Sequence, residues 1–334
     1  MRIRVSKIIV GKFIFEYTNE VHITKSWKNL ADTCKIKLPR RYATILDNNQ
    51  KTTLDKVLKM GDKIEVFLGY DFELKNRFNG YLKSIKPNYP VEIEAEDEMY
   101  IWKRTKVSPK AFRGGDVAEI LTHIGIKKYK LVGNKVSIGD FRITTEMGTV
   151  ARVLEKIKEE SHLPVFMRKG ILHIGGQNPI SSEDRTTHKF IVGKNIISHS
   201  LEYILKEENP VEVEVISKHS KGGETKVTVP PKGTYKMENE TQISKHTISA
   251  NDNIKDKTIL EKLGYAQLDK LSYTGWKGKI KVFGEPLVDH GDIIELEDID
   301  EGIIKGAYFA DTIEISATMS EAYSQEIELG QILR

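Results

Sequence analysis

Apolar and polar residues alternate along most of the first hundred positions of the chain. After Gly61-Asp62, for example, Ile64, Val66 and Leu68 share one face of an extended segment. A period of two is typical of β-strands that bury one face. Residues 1–108 are therefore predicted to form a β-rich unit.

The spacing of apolar residues becomes helical after residue 109. Apolar residues three and four positions apart predict a helix from Thr149 to Ser161. Residues 109–194 are expected to be a small α+β insert domain. Strand patterns return over residues 195–334, with one helix expected at about 257–271. The predicted fold class is β-rich α+β, with two related β-barrel-like units separated by the insert.

The two predicted β-units contain similar sequences. The first reads GDKIEVFLGYDFELKNRFNGYLKSI, and the second reads GDIIELEDIDEGIIKGAYFADTIEI. The matched positions are Gly61 and Gly291, Asp62 and Asp292, Glu65 and Glu295, and, nineteen residues after each glycine, Gly80 and Ala310. Glycine accepts a positive φ and aspartate bonds to nearby backbone, so Gly-Asp is expected to form a tight turn before a strand. We interpret these residues as a structural repeat.

One segment of the second unit, FGEPLVDHGDIIELED, concentrates titratable groups. Asp289, His290 and Asp292 are compatible with a metal or acid–base site, or with a β-turn that carries a solvated histidine. Strand alternation would place these side chains on two faces, which favours the turn. We therefore expect no catalytic residue, metal site or cofactor. His290, which Met60 replaces in the first copy, has no assigned role.

Acidic residues recur on predicted strands of both units. The residues concerned are Glu92, Glu94, Glu295, Glu297, Glu326 and Glu328. Their alternation with apolar residues predicts that they point away from the core. They form either a plain solvated face or the wall of a channel that lets a polyanion pass without binding it.

Composition narrows the class of protein. The 334 residues carry 52 lysines and arginines against 48 acids, a net charge of +4, without the one-sided basic clustering of nucleic-acid recognition. The single cysteine, Cys34, excludes an internal disulfide. No signal peptide or membrane-spanning run is recognisable. We expect two or three domains, a soluble protein made inside the cell, and no membrane anchor.

The order of these motifs resembles a known family. The relevant segments are GDKIEV, VARVLEKIKEESHLPVFMRKGILHIG, VFGEPLVDHGDIIEL, GAYFADTIEI and EIEL. They are similar to segments of the baseplate hub proteins of contractile-tailed phages, which include the late-control tail proteins. They are also similar to the hub half of type VI secretion spike proteins.

The resemblance implies a non-enzymatic homotrimer whose six β-units form a pseudo-six-fold ring. Such a ring adapts a six-fold tail tube to a three-fold spike and forms part of the central channel. The implied partners are the tail tube protein, the central spike protein, the tape-measure protein and other baseplate proteins. The implied location is the baseplate of a virion tail or of an equivalent injection particle. The alternative is a β-rich hydrolase or binding module that acts on a cell-envelope polymer.

Overall fold

The computed structural model of the protein describes residues 3–39, 53–131, 138, 140–161, 163–175, 182–206, 210–219, 222–231, 234, 243–250, 256–299, 302–318 and 323–333. Strands dominate these residues and helices are few, so the β-rich α+β class is confirmed.

The N-terminal region contains seven described strands and two one-turn helices. They are β1 (Arg4–Val10), β2 (Phe13–Phe15), β3 (Glu20–Ser26), β4 (Thr33–Leu38), α1 (Leu54–Val57), β5 (Lys63–Tyr70), β6 (Glu73–Lys86), β7 (Val91–Glu96) and α2 (Met99–Trp102). In β5 the alternation acts as predicted, because Ile64, Val66 and Leu68 are all fully buried on one face.

The central region mixes short strands with two helices. Its elements are β8 (Lys110–Phe112), α3 (Val117–His123), β9 (Tyr129–Leu131), β10 (Phe141–Ile143), α4 (Val150–Ser161), β11 (Val165–Arg168) and β12 (Ile171–Ile174). The predicted helix at Thr149 to Ser161 is confirmed as α4, whose apolar stripe packs into a separate core with Leu172 and Ile174 of β12.

The C-terminal region returns to strands. Its elements are a 3-10 helix (Ser182–Asp184), β13 (Thr187–Val192), β14 (Ile196–His199), β15 (Glu202–Ile204), β16 (Val211–Lys218), β17 (Glu224–Val229), β18 (Ser244–Ser249), α5 (Lys257–Leu271), β19 (Gly275–Lys277), β20 (Lys279–Phe283), β21 (Ile293–Asp298), β22 (Lys305–Thr318) and β23 (Ser324–Ile332). The helix expected at about 257–271 is confirmed as α5.

One sheet of 13 strands joins the N-terminal and C-terminal regions. Its path is β14-β20-β23-β22-β3-β4-β7-β6-β5-β1-β2, and β21 branches from β22 to carry β13. β22 is antiparallel to β3, so the regions share a single core that includes Ile23 and Ile315. The path over the described residues is open and does not close into barrels. β13, which lies within the expected insert 109–194, belongs to this sheet because it pairs with β21.

A small module extends from the hairpin formed by β15 and β19, in which Glu202 lies opposite Lys277. In the module, β16 is flanked by β17 and β18, and α5 packs on this sheet through Leu260 and Leu268. Helix and sheet approach closely at Gly264, where a Cβ would lie 2.6 Å from Val229. The module therefore has its own core, and it interrupts the second β-region in sequence without breaking its strand order.

The strand order of the main sheet repeats. The first region has the order β3-β4-β7-β6-β5, and the second has β14-β20-β23-β22-β21, with every neighbouring pair antiparallel. The fourth strand of each order, β6 or β22, is 14 residues long. It has a bulge in its pairing with the third strand of the order, β7 or β23. The sequence repeat is thus part of a longer repeat in topology.

Candidate functional site

The Gly-Asp sequences form the same turn in both regions. Gly61 has a φ of +91° and Gly291 a φ of +83°, values that favour glycine. The amides of Asp62 and Asp292 each donate to the carbonyl three residues earlier, at 3.1 Å. Each carboxylate also accepts from the amide of that earlier residue, at 3.0 Å. The turn thereby fixes the start of the strand that follows it.

The backbone partners of these turns correct one predicted match. Gly61 donates to the carbonyl of Leu82 at 2.7 Å, and Gly291 donates to that of Ala310 at 2.7 Å. Leu82, not Gly80, is therefore the counterpart of Ala310. The match by spacing fails because the first hairpin is two residues longer and carries a bulge between the partners of β5 and β6. Gly80 is needed for another reason, since a Cβ there would lie 2.2 Å from the Glu96 carbonyl oxygen.

Glutamates occupy corresponding strand positions in the two regions. Glu65 alternates with buried residues of β5, and the exposed Glu295 does the same on β21. Relative to β6 and β22, Glu94 lies opposite Ser84 and Glu328 lies opposite Thr312, at matching steps after the shared bulge. The sequence KIKL of β4 and KIKV of β20 flank these strands in the same register. That pair of tetrapeptides is a signal of the repeat that is visible in the sequence itself.

The turn of the second region is buried in a polar cluster. We call Lys25, Arg168, His188, Asp289, His290 and Asp292 the junction cluster. Arg168 Nη2 donates to Asp292 Oδ1 at 2.7 Å, and His188 Nε2 lies 3.1 Å from Asp292 Oδ2. Lys25 Nζ donates to Asp289 Oδ1 at 3.0 Å. The expectation that strand alternation would separate these side chains is wrong, because they belong to a turn that lies beneath the insert.

The junction cluster connects three parts of the chain. Lys25 comes from β3, Arg168 from β11 of the insert, and His188 from β13. Asp292 also accepts from the amide of Thr186 at 3.0 Å. A buried ion pair of this kind fixes relative position more than it adds stability, since losing one partner leaves a buried charge. Asp292 is consequently an anchor for the insert as well as a turn residue.

His290 is the residue whose environment differs most from expectation. It is only 1% exposed, so the solvated histidine is wrong. Its ring stands edge-on to Phe166 of β11, with centroids 5.3 Å apart. Neither ring nitrogen has a hydrogen-bond partner among the described residues. Burial lowers the pKa of His290 to about 3, despite the opposing charge of Asp289. The ring therefore stays neutral at ordinary pH.

The electrostatics of the cluster fit a structural role. Burial opposes ionisation of Asp289, but the charge and hydrogen bond of Lys25 outweigh it and lower the pKa of Asp289 to about 2. Within the described parts of the chain, no three histidine, cysteine, aspartate or glutamate side chains are grouped so as to hold a metal ion. The cluster thus offers a clamp of opposite charges around an inert histidine.

The acids predicted to line a face alternate with lysines. Lys86 Nζ lies 2.7 Å from Glu92 and 2.9 Å from Glu94. Lys279 Nζ lies 2.7 Å from Glu326, and Lys28 lies 3.1 Å from Glu328. We call these strand positions, with their lysines, the charged face. It spans both regions, and it is nearly balanced in charge rather than a line of acids.

Two of the predicted acids lie elsewhere. Glu295 and Glu297 belong to β21, which pairs with the first half of β22 and not with β23. Glu297 is paired with Lys189 of β13. The six acids are therefore distributed over two places on the sheet.

None of the helices in the described ranges is both long and apolar enough to cross a membrane.

No protein-family model matches the chain, and no curated protein sequence matches it. Solved structures do match over nearly its whole length. A tail protein from Neisseria meningitidis has a TM-score of 0.66 over 98% of this chain and 96% of that protein, at 16% identity.

Two further structures extend the comparison. A tail protein of a Shewanella oneidensis prophage has a TM-score of 0.66 over 98% of this chain and 97% of that protein, at 12% identity. An Escherichia coli component of the type VI secretion system, described as similar to T4 bacteriophage tail proteins, has a TM-score of 0.54 over 97% of this chain and 74% of that protein, at 8% identity. The chain therefore has the fold of these tail and type VI secretion proteins, which confirms the resemblance that its sequence motifs predict.

Proposed function

We propose that the protein is a structural baseplate hub of a contractile, phage-like tail or injection machine. Three copies form a ring in which the two β-regions of each chain provide six similar units. The ring adapts a six-fold tail tube to a three-fold spike and surrounds part of the central channel. Its partners are further copies of itself, the tail tube protein, the central spike protein and, at the tube entrance, the tape-measure protein.

The observation that carries this proposal is the repeat within one chain. The two regions share their strand order, a Gly-Asp turn with matching hydrogen bonds, and a bulge at the same step. Two similar units per chain give a three-fold assembly six similar surfaces, which is what contact with a six-fold ring requires. The tail proteins with the same fold support a structural rather than an enzymatic role.

The clamped junction cluster supports the same role. Its carboxylates are engaged by Lys25 and Arg168, and His290 is shielded from solvent. Ion-paired carboxylates and a buried histidine are poorly suited to general-base catalysis. Domain limits of 1–108, 109–194 and 195–334 remain part of the proposal.

The charged face is proposed to line the channel. The acids prevent a passing polyanion from binding to the wall. The lysines between them, Lys86 and Lys279, keep the wall from carrying a large excess of negative charge. Glu92, Glu94, Glu326 and Glu328 lie on this face. Glu295 and Glu297 lie apart from it on β21, beside β13.

Light scattering of the purified chain tests the proposed assembly. A subunit of 38.0 kDa predicts a trimer of about 114 kDa. Negative-stain images should show rings with three-fold symmetry and six similar lobes. The proposal of a trimeric hub would be refuted if the mass stays at the monomer value at all concentrations and also after tube protein is added.

A further inference from the structure

One half of β22 is paired with β3 on one side, whereas the matching half of β6 has no strand partner on that side among the described residues. In β22, the residues Thr312 to Thr318 are paired with β3 through seven residue pairs. The matching half of β6 begins at Ser84, because Thr312 and Ser84 occupy the same step after the shared bulge. Among the described residues, no strand pairs with this half of β6 on the side away from β7. Over the described residues, the first region therefore has an open edge where the second has a closed one.

The strand that would close this edge also exists, in the second region. Lys37 lies opposite Glu20 of β3, and its counterpart Lys281 lies opposite Ser198. Residues 198–204, which contain the second half of β14 and all of β15, therefore correspond to β3. β3 is covered on its outer side by β22, whereas no described strand covers the outer side of β14 or β15.

Burial differs between the copies as these open edges require. Val21 and Ile23 of β3 are fully buried, whereas their counterparts His199 and Leu201 are exposed and half-buried. Ala317 of β22 is 0% exposed, whereas Tyr89, at the corresponding place after β6, is 76% exposed. Exposed apolar side chains beside unpaired strand edges mark an interaction surface.

We propose that these two edges pair with each other between chains, so that the open half of β6 in one subunit binds residues 202–204, at the end of the 198–204 edge of the next. The register is that of β22 with β3, which places Ser84 opposite Ile204, Ile85 opposite Tyr203, and Lys86 opposite Glu202. This last pair brings opposite charges together across the strands. The inference rests on the proposed function for the number of subunits, and it identifies the surface that closes the ring.

The interaction is head to tail, because the two edges are different parts of one chain. Such an interface closes into a ring when the rotation per subunit allows it and otherwise gives an open filament. The internal joint of β22 with β3 supplies the rotation within the chain, and the external joint repeats it. Ring closure would then shorten the strand edges that stay unpaired, which reduces the risk of aggregation.

The external joint is shorter than the internal one. Pro87 and Pro90 follow β6 directly, and Asn88 donates to the Lys86 carbonyl in a tight turn. Pairing is therefore limited to Ser84, Ile85 and Lys86, against seven pairs inside the chain. The subunits accordingly associate through a brief strand contact, with Tyr89 adding apolar contact beside it.

A disulfide across the proposed joint tests the register. Directly opposite residues of antiparallel strands have Cα atoms about 4.5–5.5 Å apart, which suits a disulfide. The variant carries Lys86→Cys with Glu202→Cys, and the native Cys34 is buried and does not compete. Mild oxidation with copper phenanthroline should give covalent trimers on a non-reducing gel. The matched control carries Lys86→Cys with Glu224→Cys, an exposed glutamate on β17, and should remain monomeric on the gel.

Hydrogen exchange on the unmodified protein provides a second measurement. In a trimer, amides of residues 84–86 and 202–204 should exchange as slowly as those of β3 and its partner half of β22. A trimer by light scattering that exchanges rapidly at both edges and gives no cross-link would overturn this joint while leaving the hub intact. A protein that is monomeric throughout would instead refute the hub itself.

Discussion

Replacing Arg168 by methionine separates an anchoring role of the junction cluster from a passive one. The Arg168 side chain is 3% exposed and its partner Asp292 is 4% exposed, so the ion pair is almost fully removed from water. Methionine keeps most of the volume and removes the charge. The Asp292 carboxylate then stays buried with His188 and backbone amides as its remaining partners.

The expected cost is large for a single substitution. Removing one partner of a buried ion pair costs about 3–5 kcal/mol, because the other charge is left uncompensated. Removing both charges, by adding Asp292→Asn, should recover about 2–3 kcal/mol of that loss. The recovery would show that the penalty comes from the stranded carboxylate and not from lost packing.

Urea unfolding followed by circular dichroism measures these differences as apparent free energies of unfolding. Arg152→Met is the matched control, since Arg152 is 70% exposed and its pair with Glu155 should contribute less than about 1 kcal/mol. A loss below about 1 kcal/mol for Arg168→Met, or losses that simply add in the double variant, would refute the reasoning.

Three further predictions concern the turn, the buried histidine and the charged face. Gly291→Ala should lower the free energy of unfolding by about 1–2 kcal/mol because φ is positive there, and an unchanged urea midpoint would contradict this. His290→Met should flatten the pH dependence of stability. Burial lowers the pKa of His290 to about 3, so below about pH 6.5 the unfolded chain binds a proton that the folded wild type does not. The free energy of unfolding of the wild type should therefore fall by about 1 kcal/mol per pH unit as the pH falls from 6.5 towards 3. Parallel stability profiles for the two proteins would count against the buried neutral ring. Lysine in place of both Glu326 and Glu328 should raise the affinity for duplex DNA severalfold at low salt in an anisotropy assay, with Glu224→Lys as control, and equal affinities would argue against the channel wall.

Local patterns predicted the elements that depend on neighbours in sequence. The apolar stripe of α4 and the alternation of β5 are both present where expected. Helical and strand periods are set by the backbone, so short windows of sequence contain the necessary information.

The junction cluster could not be predicted in this way. Lys25, Arg168 and Asp292 are more than a hundred residues apart from one another and have no common spacing. Their meeting depends on β3 lying beside β22 and on the insert covering one turn, which are properties of the topology. The burial of His290 follows from the same cover, whereas the equivalent Met60 has none and is exposed.

The Gly80 match failed for a related reason. A bulge and a longer hairpin shift one strand against another, and spacing counted along the chain does not record such shifts. The tetrapeptides KIKL and KIKV, read together, give the correct register because β4 pairs with β7, and β20 with β23, without a register shift.

The module between β15 and β19 has a practical consequence for engineering. The chain leaves the main sheet after His199 and returns to it at Lys279, and between these points Ile204 lies opposite Gly275, so the two ends of the module are a single strand spacing apart. The corresponding hairpin of the first region, β3 with β4, is joined by a short turn. The position between β15 and β19 is therefore a natural graft site, at which a reporter or cargo domain with adjacent termini can replace the module without altering the order of the strands around it.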